Sequence, residues 1–130
     1  EGVHFFPDDA LTDQPEKVLA SEMIREKILR LTEKEIPHGT AVVIERMKMR
    51  EDKNLMDIDA TIYCERDTHK GILIGKKGSM LNKISTYARQ DMENFFNYKV
   101  NLKTWVKVKE DWRNKENLMR TFGFDQNDFQ

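Results

Sequence analysis

Four residues carry the most specific chemistry in this 130-residue chain: Gly75, Lys76, Lys77 and Gly78. They form a Gly-x-x-Gly loop between the apolar run Ile72-Leu73-Ile74 and the mixed segment Ser79-Met80-Leu81-Asn82-Lys83-Ile84. A main chain bare of side chains can press against a sugar-phosphate backbone, and two glycines permit that here. Lys76 and Lys77 add ammonium charge. A helix starting after Gly78 would turn free amide donors and the positive end of its dipole toward the same phosphates. Such contacts hold a polynucleotide without reading it. Reading requires unpaired bases in a groove, whose apolar floor is expected from Ile72, Ile74, Met80 and Ile84; Ser79 and Lys83 complete the candidate contact set. A single RNA strand of about four nucleotides would fill it.

Other chemistries are poorly served. The mononucleotide pattern Gly-x-x-x-x-Gly-Lys-Ser/Thr occurs nowhere, since the residue five after Gly71 is Lys76 and not a glycine, so GTP and ATP are not expected to bind here. His4, His38 and His69 lack ligand-like spacing, and Cys64 is the only cysteine, so neither a metal site nor a disulfide is expected. Asp57 and Asp59 share one strand face, where solvation is the simpler reading than a catalytic carboxylate pair. With no nucleophile or acid–base pair in view, these residues are not read as an enzyme. The net charge of −1 argues against nucleic acid only on average. Residues 68–109 hold nine basic and two acidic residues, a local +7 that leaves −8 elsewhere. One attractive surface on a repelling body favours local docking of phosphate.

The elements that must position the loop follow from periodicity. With 38% hydrophobic and 35% charged residues, the chain suits one soluble globular domain in a cytosolic setting. No apolar run is long enough to span a bilayer. Asp13 with Glu16 resembles a capping box, and Val18, Ala20, Ile24, Ile28 and Leu31 predict a helix over 15–35, stopped by Pro37 and Gly39. Two β-rich runs, 40–50 and 55–65, predict a hairpin. In the second, Met56, Ile58, Ala60, Ile62 and Cys64 alternate with polar positions. Asp67 is placed to cap a short helix reaching Ile74, and Leu81, Ile84, Ala88, Met92 and Phe95 define a second helix after the loop. A third strand over 99–109 turns Val100, Leu102, Thr104, Val106 and Val108 inward. Trp105 faces outward between Lys103 and Lys107, free to stack a base or to dock a terminal helix. His69, beside Lys70, is either a second RNA contact or a helix-surface residue. The order helix, strand, strand, short helix, loop, helix, strand, with its crossover back to the third strand, predicts an α+β fold on a mixed sheet, the order of a type II, or prokaryotic, KH module.

The chain resembles the C-terminal KH portion of the Era family of ribosome-assembly GTPases. The resemblance is carried by Phe5-Phe6-Pro7-Asp8-Asp9, Leu11-Thr12-Asp13-Gln14-Pro15, Ala20-Ser21-Glu22-Met23-Ile24-Arg25-Glu26-Lys27 and Ile58-Asp59-Ala60-Thr61-Ile62-Tyr63. It continues through 70–78, Ala88-Arg89-Gln90-Asp91, Trp105-Val106-Lys107-Val108-Lys109 and Trp112-Arg113. It implies a three-stranded mixed sheet with helices on one face and an added C-terminal helix. The implied divisions are a linker at 1–14 from an upstream GTPase domain, the KH domain at 15–110, a helix at 111–123 and a flexible tail at 124–130. It also implies a grip on single-stranded small-subunit ribosomal RNA near its three-prime end, hence the small ribosomal subunit as the larger partner. GTP and magnesium would belong to the upstream domain, with no cofactor in this chain. A monomer in the cytoplasm, with peripheral contact to the inner membrane, completes the expectation. The alternative left open is a KH-like protein-interaction domain that docks on the GTPase domain or a ribosomal protein and reads no RNA.

Overall fold

The computed structural model describes residues 8–33 and 35–109. Strand β2, Leu55–Cys64, is the centre of a three-stranded sheet of order β1-β2-β3. Its inward positions Met56, Ile58, Ala60, Ile62 and Cys64 are all buried, as the period-two alternation predicts. Strand β1, Thr40–Arg50, pairs with it antiparallel through a tight turn that puts Asn54 at φ 51°, a conformation asparagine tolerates. Strand β3, Lys99–Val108, pairs with β2 in parallel, from Leu55 opposite Lys99 to Cys64 opposite Val108. A parallel neighbour demands a crossover. The chain supplies it as helix α3, Asp67–Ile74, the glycine loop, and helix α4, Ser79–Phe96. The loop is therefore the corner of the crossover, held by packed elements on both sides.

Helix α1, Asp8–Leu31, and the short α2, Glu35–His38, complete the helical layer. The core joins Ala20, Ile24 and Ile28 of α1 to Leu73 of α3, to Ile84, Ala88 and Met92 of α4, and to the inner face of the sheet. Each large aliphatic side chain so buried contributes about 1.5–3 kcal/mol. The expected α+β architecture on a mixed sheet is what forms. Among the described residues no helix is long and apolar enough to cross a membrane.

Several boundaries and faces differ from the sequence reading. Helix α1 starts at Asp8, so Pro15 lies inside it, Asp13 is not its cap, and residues 8–14 are helical. A proline inside a helix forfeits one backbone bond. Val18 is 52% exposed because a two-residue step from Ala20 carries it off the apolar stripe. The α4 stripe advances by fours through Ile84, Ala88 and Met92 to Phe96, which leaves Phe95 exposed. Asp67 is the first residue of α3 rather than its cap; Arg66 holds that position without a side-chain bond. The helix expected at 111–123, the tail at 124–130 and the linker residues 1–7 lie outside the described residues.

Candidate nucleic-acid interface

Helix α3 ends where Gly75 takes φ 76°, and the Gly75 N–H donates to the Gly71 carbonyl at 2.8 Å. Residues Lys76–Gly78 make one tight turn closed by Gly78 N–H to the Gly75 carbonyl at 3.1 Å. Lys77 (φ 56°) and Gly78 (φ 79°) are also left-handed. For a lysine that conformation costs roughly 1–2 kcal/mol, and the packed helices on either side hold it there. The two glycines do different work. A Cβ on Gly75 would sit 2.6 Å from Met80 Cβ and 2.7 Å from Met80 N, so this glycine lets α3 and α4 close on each other. A Cβ on Gly78 would meet nothing within 4 Å. Gly78 therefore presents open backbone, as a phosphate contact requires. It also begins α4 with no side-chain cap, leaving that end of the helix to an external anion.

Lys76 and Lys77 are exposed, as are Ser79 and Lys83 one helical turn on. None of the three lysines forms an ion pair among the described residues. The expected apolar floor needs correction. Ile84 is wholly buried in the core and cannot touch a ligand. Ile74 and Met80 are partly buried against that core, and only Ile72, 47% exposed, offers much surface. Instead a shallow groove of ≈ 310 Å³ opens between α4 and β3, lined by Gly78, Leu81, Asn82, Ser85, Leu102 and Thr104. Leu81 and Leu102 supply its apolar surface, and Ser85 Oγ and Thr104 Oγ1 are 2.8 Å apart across it. This wall is hidden in the sequence because β3 follows the loop by more than twenty residues. The one available signal was the parallel pairing, which had to bring β3 alongside α4.

The residues held aside fall elsewhere. Trp105, 45% exposed, pairs with Thr61 on the outer sheet face, opposite in direction to Thr104, so it does not line the groove. His69 sits at the far end of α3; its Nδ1 is buried without a hydrogen-bond partner, close to Gly39. The outer face also corrects the reading of Asp57, which is not solvated but 5% exposed. Arg50 donates to it from Nε at 2.7 Å and Nη2 at 3.1 Å, and Asn101 Nδ2 donates at 2.9 Å. These bonds, the guanidinium first and the amide second, hold the Asp57 carboxyl down at about 2. Arg46 spans Asp59 at 3.2 Å and Asp57 at 3.7 Å. Cys64 is buried in β2, and burial pushes its thiol up. No cluster of three or more metal-ligating side chains occurs among the described residues.

The KH domain family matches residues 35–113. GTPase Era of Alkaliphilus oremlandii is 56% identical over 125 residues, which is 96% of this chain and 42% of that protein. GTPase Era of Clostridioides difficile is 55% identical over the same shares. The chain thus spans less than half the length of these relatives. Among solved structures, Aquifex aeolicus Era bound to GDP·AlF4− superposes with a TM-score of 0.78 at 41% identity, over 92% of this chain and 40% of that one. An Era complex with MgGDPNP and nucleotides 1506–1542 of 16S ribosomal RNA gives 0.78 at 39% identity, over 95% and 41%. With a family match over more than half of its length, the chain belongs to the KH domain family, and along nearly all of it the chain is similar to part of GTPase Era.

Proposed function

We propose that this chain is the RNA-gripping unit of an Era-type GTPase, binding a single-stranded segment near the three-prime end of small-subunit ribosomal RNA during subunit assembly. The observation that carries the reading is Gly78. Its left-handed backbone is open on the side where a Cβ would stand, next to two exposed lysines with no carboxylate partner among the described residues, and above a groove with an apolar wall. Backbone contact at the glycine corner holds phosphates, and the groove admits bases only when they are unpaired. An Era relative in complex with a 16S ribosomal RNA segment supports the same assignment. On this reading GTP and magnesium act in an upstream domain, and the unit works in the cytoplasm on the small subunit. Fluorescence anisotropy with that RNA segment, as a single strand and annealed to its complement, tests it across a salt series. The single strand is expected to bind, with a log–log salt slope of about −0.7 for each phosphate neutralised, and the duplex to bind far more weakly. Equal binding to both, or none to either, would overturn the reading in favour of a protein-docking KH domain.

A further inference from the structure

Resting on the RNA-binding reading, we infer that the Ser85–Thr104 hydroxyl pair is a base-reading element of the groove, and that it accepts any of the four unpaired bases. The pair spans the groove from α4 to β3 at 2.8 Å, and either oxygen can be the donor. Both side chains are only partly buried and line the groove with Leu81 and Leu102. Two hydroxyls bring two hydrogens and four lone pairs, and their mutual bond uses one of each. One hydrogen and three lone pairs remain for a ligand. Reversing the mutual bond moves the free hydrogen from one oxygen to the other, so the pair can present donor then acceptor, or acceptor then donor.

That reversal matters for a nucleobase. The Watson–Crick edges of adenine and cytosine set an amino donor beside a ring-nitrogen acceptor; those of uracil and guanine set a carbonyl acceptor beside a ring N–H donor. A hydroxyl pair matches both orders by turning over. Leu81 and Leu102 give the base an apolar surface to cover, and Gly78 at the groove mouth places the adjoining phosphate. The pair therefore distinguishes a base from no base at one nucleotide, and does little to distinguish one base from another there.

The test is a panel of short single-stranded RNAs in which each position in turn carries A, C, G, U or an abasic sugar, titrated against the chain and its variants. One position is expected where the abasic sugar weakens binding roughly five- to tenfold while the four bases agree within about twofold. Ser85→Ala with Thr104→Val should cut the abasic penalty at that position to about twofold, the share left to Leu81 and Leu102, and leave the others unchanged; Thr104→Ser, which keeps the hydroxyl, should preserve it. Circular dichroism checks folding, and Thr104→Val alone serves if the double variant unfolds. A folded variant without the pair that keeps every abasic penalty overturns the inference, as does a penalty-bearing position where the four bases differ by about tenfold or more. The outcome is separable from failure of RNA binding itself: if Lys76→Asp with Lys77→Asp binds like the unaltered chain, the broader reading falls first.

Discussion

Two groups of cations in this molecule, a pair of arginines and a trio of lysines, share a sign of charge and differ in availability. On the outer sheet face, Arg46 and Arg50 are engaged by Asp57 and Asp59, with Asn101 filling a remaining acceptor site on Asp57. At the crossover corner, Lys76, Lys77 and Lys83 stand exposed with no ion pair among the described residues. Charge that is already hydrogen-bonded fixes the register of a sheet; charge without a partner is free to meet a phosphate. Counting basic residues along the sequence cannot separate the two uses, whereas the distances do.

The largest effect expected from breaking this contrast is at the loop. Lys76→Asp with Lys77→Asp should weaken binding of the single-stranded RNA on the order of a hundredfold, with an unchanged thermal midpoint. Arg50→Ala should do the reverse, lowering the thermal midpoint while leaving RNA affinity within about twofold, because Asp57 would lose its main donor. Anisotropy and thermal melting on the same preparations check both.

A finer division is expected between the glycines. Gly75→Ala must displace Met80 and strain a positive φ, costing about 1–3 kcal/mol in urea unfolding and disturbing RNA binding with it. Gly78→Ala meets no neighbour, so its stability cost is limited to the backbone conformation, about 1 kcal/mol. It places a methyl group where the phosphate backbone must lie, and affinity should fall roughly tenfold. Equal stability and affinity losses at the two positions would remove the distinction between a packing glycine and a contact glycine.

The smallest effect is in the acid limb of stability. Asp57 titrates at about 2 in the folded chain, below the ordinary unfolded value of roughly 3.9, so its contribution is complete above that value and is lost as pH falls toward 2. Asp57→Asn should flatten the melting temperature between about pH 4 and pH 2 relative to the unaltered chain.

Much of this was legible in the residues. Alternation in 55–64 reports a strand with one apolar face directly, and Gly75 with Gly78 marks the loop, because those signals are local. The start of helix α1 is not legible, since Pro15 reads as a first-turn residue although a longer helix tolerates it. Ile84 reads as a groove residue because a periodic apolar residue beside a loop looks the same in sequence whether it faces a ligand or the core. Leu102 and Thr104 were invisible as site residues, because the parallel pairing that brings them to α4 is a tertiary fact. Asp57 reads as solvated because its partners Arg50 and Asn101 come from two other strands.

A titration of the isotopically labelled chain with the single-stranded ribosomal segment, followed by amide chemical shifts, tests the central claim most directly. The account predicts that Gly75 to Ser79 move first, together with Asn82, Ser85 and Thr104, while Asp57, Asn101 and Trp105 on the outer face stay in place. First movements confined to the outer face, with Gly78 unmoved at saturation, would contradict it.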